Sequence, residues 1–211
     1  NPPEPEVPAE MTRHTMLEDR PDTLKQWAEI DEDHPLVKDG IMTAGRHSRD
    51  ALHNAIVRWF FKGKRAPRGG APVIIFSGGG TAAGKSTILK WFRKLGHLDY
   101  DEENAIHIDA DAIKGMLPEF IGLIKMGYGK AAGVVHEESS YLAKRIRALA
   151  IKKRMHIVYD ATMAKVESGR QLIRKFKELG YKTKMVAVTL DPYEALVRMA
   201  LRGKDTMRWI R

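Results

Sequence analysis

Residues 73–87 read VIIFSGGGTAAGKST, an apolar run that passes directly into a loop rich in glycine. The β-branched and aromatic residues from Val73 to Phe76 predict a buried strand. Beyond Gly84-Lys85-Ser86, apolar residues recur at helical spacing, namely Ile88, Leu89, Phe92 and Leu95. The stretch therefore predicts a strand, a tight loop and a helix in direct succession.

The loop has the spacing G-x-x-x-x-G-K-S, which is typical of a phosphate-binding loop. Glycines let backbone N–H groups turn inward, and the helix N-terminus adds partial positive charge. We expect Lys85 to reach the β- and γ-phosphates of a bound nucleotide, and Ser86 to hold Mg²⁺. The alternative is a glycine-rich turn before an ordinary helix. The predicted nucleotide-binding residues are Gly79, Gly80, Thr81, Ala82, Ala83, Gly84, Lys85, Ser86 and Thr87.

Composition indicates a soluble globular protein, with 43% hydrophobic and 30% charged residues in a chain of 211. The absence of cysteine excludes disulfides and thiolate metal sites and fits a reducing compartment. We see no secretory signal or membrane-spanning run, so we expect a cytoplasmic protein without a membrane partner. The net charge of +9 would attract polyanions such as nucleic acid. The dense basic runs are short, however, so we expect most Lys and Arg on solvated helix faces.

The chain divides at about residue 70. Before it, residues 23–30 and 48–61 predict two helices, so residues 1–70 are interpreted as a helical extension ending in a basic linker. After it, strands alternate with helices, which predicts an α/β core with a parallel sheet flanked by helices over residues 71–211. Further strands are expected at residues 105–108, 155–159 and 184–190, with helices at 136–151 and 168–179. Four glycines between residues 120 and 135 predict a mobile region with a short helix.

Acidic residues follow two of the predicted strands, and ligands of such sheets bind at the carboxyl ends of the strands. Asp111 is a candidate general base that would accept the proton of an attacking hydroxyl group. Alternatively, Asp109 or Asp111 caps the next helix. Asp160 ends an apolar strand and is a candidate ligand of the Mg²⁺ shell, or else caps a turn.

Three arginines follow the last predicted strand. Arg198, Arg202 and Arg208 could form a lid that neutralises charge on the triphosphate during transfer. Arg198 and Arg202 are four residues apart and share a helix face, but this spacing is also common on solvent-facing surfaces.

Together these motifs resemble the zeta toxin family of P-loop kinases, which have a core similar to that of polynucleotide kinases. The resemblance extends from about Val73 to the end of the chain. The matching segments are GGGTAAGKS at 78–86, IDADAIK at 108–114, HEESS at 136–140, VYDAT at 158–162 and the arginine-rich stretch 198–208.

The resemblance implies an ATP- or GTP-dependent, Mg²⁺-using kinase that phosphorylates a small-molecule hydroxyl group. In the best-known members the acceptor is UDP-N-acetylglucosamine, and an antitoxin protein holds the enzyme inactive. The family pattern implies that Lys85 binds phosphate, that Asp111 is the base and that the arginines from 198 to 208 form the lid. The implied substrate-side residues are Asp109, Glu137, Glu138, Thr162 and Lys165.

The sequence departs from the family pattern on the acceptor side. Ungapped counting places Lys144 where the best-known toxins have a substrate-side glutamate, and Ala164 where they have an arginine. We expect Glu137, Glu138 or Lys165 to compensate. Such cores also carry a fifth strand, so we expect a further C-terminal part of the core.

Two other functions are compatible with the sequence. A 5′-hydroxyl polynucleotide kinase is favoured by the net charge of +9. A nucleotide-binding interaction module without catalysis would need the phosphate-binding loop but not Asp111.

Overall fold

The computed structural model describes residues 27–79, 83–160, 166–191, 193–194 and 197–198. Strands and helices alternate along much of this length. In chain order they are β1 (Trp27–Ile30), α1 (Pro35–Lys38), β2 (Gly45–Ser48), α2 (Arg49–Phe61), β3 (Val73–Gly79), α3 (Lys85–Lys94), β4 (Ile106–Ile108), α4 (Ala110–Lys114), α5 (Pro118–Lys125), α6 (Ala131–Val134), α7 (His136–Lys152), β5 (Ile157–Asp160), α8 (Val166–Glu178) and β6 (Lys182–Val188).

The described residues form two compact units, each built from two separate stretches of chain. The first unit comprises residues 27–62 and 110–146, and the second comprises residues 63–109 and 147–198. These units differ from the division at residue 70 that we interpreted from the sequence.

The second unit contains a four-stranded parallel sheet with the strand order β4-β5-β3-β6. The strand before the glycine loop, β3, therefore lies between two neighbours, and its residues Ile74, Ile75 and Phe76 are fully buried. Parallel pairing places Ser77 opposite Asp160, so the carboxyl ends of β3 and β5 lie side by side. This confirms the predicted α/β class with a parallel sheet.

Apolar side chains cover both faces of this sheet. On one face, Ile75 and Val158 pack with Leu89 of α3, and Ile88 and Phe92 are partly buried beside it. Leu95, also predicted on this stripe, is 50% exposed because α3 ends at Lys94. On the other, Phe76 meets Phe176 of α8 edge to face, with ring centroids 5.8 Å apart. Burying such side chains contributes about 1.5–3 kcal/mol each, so the two helices are fixed against the strand that carries the loop.

The first unit combines a short hairpin with helices. β1 pairs antiparallel with β2, and Ala28 and Ile30 face inward on alternate positions of β1. Ser48 then caps α2 by accepting a hydrogen bond from the Ala51 N–H group. This confirms the predicted helix up to Phe61.

One prediction for this unit was wrong. The helix expected over residues 23–30 is a strand in its described part, because Trp27–Ile30 pairs with a distant segment rather than with its own backbone. The region from 120 to 135, where a short helix was expected, contains the short helix α6 and also the end of α5. Gly127, with φ of +75°, ends α5 and lets the chain turn before α6 begins.

None of the helices in the described parts of the chain is both long enough and apolar enough to cross a membrane.

Candidate active site

The glycine loop leaves β3 through a backbone conformation that a side chain would obstruct. Gly79 has φ of +144°, and a Cβ atom built on it would lie 2.5 Å from the Val188 carbonyl oxygen of β6. Gly84, with φ of +82°, is the N-cap of α3 and provides no side-chain cap. The first N–H groups of α3 therefore have no capping side chain, an arrangement that favours anion binding.

Lys85 points back across this loop. Its Nζ donates to the Gly79 carbonyl oxygen at 3.2 Å and lies 3.5 Å from Asp160 Oδ1. The Lys85 side chain is 17% exposed and that of Asp160 is 34% exposed, so the pair lies at the edge of the protein and is open to solvent. An ammonium group held at the loop in this way can reach phosphate oxygens that enter it.

Ser77 is a site residue that the sequence analysis missed. Its hydroxyl donates to Asp160 Oδ1 at 3.1 Å, which the parallel register of β3 and β5 makes possible. The available signal was a serine in an otherwise apolar strand, four residues after Val73. Ser77 orients the carboxylate that we predicted as a Mg²⁺ ligand.

Arg198 lies beside the loop. Its Nη1 comes within 3.8 Å of the position that a Cβ on Gly84 would occupy. Its Nη2 donates to Glu194 Oε1 at 2.5 Å. Asp191 caps this segment by accepting hydrogen bonds from the N–H groups of Tyr193 and Glu194. A second cation therefore lies beside Gly84, and the role of Arg198 in an arginine lid stays a prediction.

Asp111 and Glu137 lie in the first unit, whereas the glycine loop lies in the second. Asp111 is in the first turn of α4, with its carboxylate 3.3 Å from Lys114 Nζ and 42% exposed. Glu137 is exposed in the first turn of α7. Asp109, the residue before α4, belongs to the second unit. The roles of these three residues stay predictions.

Glu138 does not fit the substrate contact that the sequence suggested. Its side chain is 0% exposed, and its two carboxylate oxygens bond to Arg49 and His53. We therefore no longer count it among the acceptor-binding residues. Other predicted site residues lie outside the described parts of the chain, namely Gly80, Thr81, Ala82, Thr162, Lys165, Arg202 and Arg208.

The residues at the loop fit a Mg²⁺ ion. Mg²⁺ takes one or two protein oxygens and completes its shell with phosphate and water. Ser86 is exposed in the first turn of α3, and the partly exposed Asp160 offers a carboxylate. Among residues that the structure describes, no group of three or more His, Asp or Glu side chains could hold a metal ion, and Mg²⁺ at a triphosphate does not need one.

The two adjacent glycines at the end of β3 allow a matched test of the loop geometry. Gly79→Ala is expected to lower the free energy of unfolding by about 1–3 kcal/mol and to weaken nucleotide binding, because its Cβ meets backbone and its φ is strained. Gly78→Ala should change stability by less than about 0.5 kcal/mol, since its Cβ would lie 3.6 Å from Met185 Cε in ordinary contact. Chemical unfolding and titration with a fluorescent ATP analogue measure both effects. Equal losses of stability and of nucleotide affinity in the two variants would contradict this description of the loop.

The comparison with protein families supports the interpretation of this site. The family model described as zeta toxin matches residues 58–211. The chain belongs to the zeta toxin family. Its glycine loop has the pattern of this P-loop kinase-like family, and the roles of Lys85, Ser77 and Asp160 in binding a nucleotide stay predictions. The zeta toxin match begins within α2, so the hairpin and Arg49 lie outside it.

Solved structures show the same fold at low sequence identity. A protein of the PezAT chromosomal toxin–antitoxin system of Streptococcus pneumoniae aligns with a TM-score of 0.61 and 18% identity, over 75% of this chain and 65% of that one. This zeta toxin family chain thus spans less than two thirds of that protein. No curated protein matches the sequence.

Two more distant structures also align. The AvrRxo1-ORF1:-ORF2 complex has a TM-score of 0.49 at 18% identity, over 72% of this chain and 48% of that chain. The Pnkp1/Rnl/Hen1 RNA repair complex has a TM-score of 0.46 at 20% identity, over 68% and 42%. Both resemble this chain too weakly to bear on its function.

Proposed function

We propose that this chain transfers the γ-phosphate of ATP or GTP to a hydroxyl group of a small molecule, and that this acceptor is a nucleotide sugar such as UDP-N-acetylglucosamine. One observation carries the proposal. Lys85 bonds to the Gly79 carbonyl oxygen beside Asp160, at a glycine loop that also has Arg198 against it. Two cations and a carboxylate around the start of a helix suit the binding of a triphosphate with its metal ion.

In the proposed reaction the acceptor hydroxyl oxygen attacks the γ-phosphorus and the bond to the β–γ bridging oxygen breaks. Asp111 takes the hydroxyl proton, and the nucleoside diphosphate leaves. Lys85 and Arg198, with Arg202 and Arg208, neutralise the charge on the oxygens of the transferred group. Ser86 and Asp160 would hold Mg²⁺, which would supply further charge neutralisation on the phosphates.

We propose that Asp109, Glu137, Thr162 and Lys165 orient the acceptor. An antitoxin partner is also proposed, because the chain belongs to a family of toxins and the PezAT protein comes from a toxin–antitoxin system. We place the reaction in the cytoplasm, where its nucleotide donor is abundant.

The test is transfer of label from [γ-³²P]ATP to UDP-N-acetylglucosamine and to a small-molecule extract of bacterial cells. A labelled small molecule should appear with the wild type and be absent with Asp111→Asn. Nucleotide binding without any labelled product, under varied metal and pH, would favour a non-catalytic interaction module and contradict the proposal.

The net charge of +9 favours one rival acceptor, the 5′-hydroxyl of a nucleic acid. An oligonucleotide with a 5′-hydroxyl, included in the same assay, distinguishes the two. Nucleic-acid affinity should fall by about 10³-fold or more between 50 and 200 mM salt if six or more phosphates are contacted. Transfer to a nucleotide sugar should depend on salt far less, since the acceptor has two phosphates.

A further inference from the structure

Arg49 is the largest fully buried side chain among the described residues. Arginine is almost never fully buried unless it is paired. It is also the first residue of α2, where the helix dipole disfavours a cation. Burial and the helix dipole both disfavour a cation at this position. The interactions of Arg49 with its partners must therefore stabilise it there.

Those partners are two carboxylates from distant parts of the sequence. Arg49 Nη1 and Nη2 donate to Glu119 Oε1 and Oε2 at 2.6 and 2.9 Å. Its Nε and Nη2 donate to Glu138 Oε1 and Oε2 at 2.7 and 2.6 Å. Each carboxylate is thus held by two bonds in the planar geometry that guanidinium favours. Arg49 fixes α2 to both α5 and α7.

His53, one turn further along α2, completes the cluster. Its Nε2 lies 2.5 Å from Glu138 Oε1 and donates to it, because a carboxylate only accepts. Burial would raise the pKa of Glu138, but the bonds from His53 and Arg49 outweigh burial and hold that pKa below its usual value. Burial would also lower the pKa of Arg49, but the carboxylates of Glu138 and Glu119 outweigh burial and raise that pKa above its usual value. All four side chains are therefore locked in one arrangement.

Such a cluster is better suited to fixing geometry than to adding stability. Replacing buried ion pairs by apolar groups is often neutral or stabilising, whereas removing one partner is strongly destabilising. Two of the helices held here, α5 and α7, follow Asp111 in the chain, and α7 includes Glu137. Arg49 itself precedes the region matched by the family model.

We propose that Arg49 is a positioning residue for phosphoryl transfer, which holds the acceptor-side helices α5 and α7 in place through Glu119 and Glu138. This role rests on the proposed kinase function. By this role, residues 27–57 help to position the acceptor-binding side of the site, although they lie outside the zeta toxin match.

The first test compares Arg49→Met with Arg58→Met, which removes an exposed arginine from the same helix. In Arg49→Met, amide hydrogen exchange in residues 118–125 and 136–146 should become at least about tenfold faster, while residues 85–94 keep their rate. ATP affinity should stay within about twofold, and kcat/KM for the acceptor should fall about 10²-fold, as expected for misplaced reacting groups. Arg58→Met should match the wild type. If amide hydrogen exchange in Arg49→Met became uniformly faster in both units, or did not become faster at all, the proposal would be overturned.

A second set of variants separates positioning from simple stability. Glu119→Gln should accelerate exchange in residues 118–125 but not in 136–146, because only the contact with α5 is weakened. The triple variant Arg49→Met, Glu119→Gln, Glu138→Gln removes the buried charges together and should recover the melting temperature without recovering transfer. Recovery of both the melting temperature and phosphoryl transfer would show that the cluster only stabilises the fold. These variants also keep the proposal testable if Arg49→Met alone does not fold.

The two proposals can fail separately. If the wild type binds ATP but transfers phosphate to no acceptor, the kinase function fails, and the positioning role in transfer fails with it. If the wild type transfers phosphate and Arg49→Met does so equally well, only the inference about Arg49 is overturned.

Discussion

Replacing Asp111 by Asn is expected to slow phosphoryl transfer by about 10²- to 10⁴-fold while ATP still binds. Asn has nearly the same size as Asp but cannot accept the hydroxyl proton in the transition state. The Asp111 carboxylate is 42% exposed and lies 3.3 Å from Nζ of Lys114, whose side chain is 12% exposed, so the substitution also weakens one partly buried ion pair. Single-turnover transfer of ³²P from ATP to the identified acceptor measures the chemical step directly.

Asp109→Asn is the matched control, since it changes the same residue type two positions earlier in the chain. We expect Asp109→Asn to alter the KM for the acceptor. It should lower the transfer rate at saturating acceptor much less than Asp111→Asn does. The alternative function of Asp111 is helix capping. That alternative predicts a stability loss of about 1 kcal/mol with transfer nearly unchanged, and such a result would remove Asp111 from the mechanism.

Replacing Lys85 by Met is expected to give the second large effect, a loss of about 10²- to 10³-fold in the rate of transfer together with weaker ATP binding. The reason is that Lys85 Nζ already lies at the loop, 3.2 Å from the Gly79 carbonyl oxygen, where it can neutralise the β- and γ-phosphates. Met keeps the length of the side chain and removes its charge. Isothermal titration with a non-hydrolysable ATP analogue measures affinity, and the ³²P assay measures rate.

Lys90→Met serves as its control, because Lys90 is exposed on the same helix, α3. It should leave both ATP affinity and transfer at wild-type values. Full activity of Lys85→Met would refute the assignment of residues 79–86 as the working nucleotide site.

The strand, the glycine loop and the helix at the proposed nucleotide site could be predicted because their signals are local. A strand of β-branched residues, two glycine turns and a lysine at the start of a helix are contiguous in sequence, and they lie together in the fold. The Asp160 prediction needed only the rule that parallel strands end at one edge. Ser77 was missed because its partner, Asp160, is set by strand register rather than by sequence spacing.

The first unit was predicted less well because its determinants are distant in sequence. Trp27 and Ile30 are three residues apart, which fits a helix, and only pairing with Gly45–Ser48 makes the segment a strand. Arg49 is separated from its partners by 70 and 89 residues. A charged residue at the start of a helix is ordinarily exposed, so no local pattern could have predicted its burial.

The way the chain alternates between its two units has a consequence for its synthesis. Residues 27–62 belong to the first unit, 63–109 to the second, 110–146 to the first and 147–198 to the second. On the ribosome, where domains fold as their chain emerges, the first unit lacks Glu119 and Glu138 until its second stretch has been made. The second unit lacks β5 and β6 until later still. The nascent protein should therefore acquire its helical unit before its parallel sheet, and gain the ability to bind ATP only after β6 has emerged.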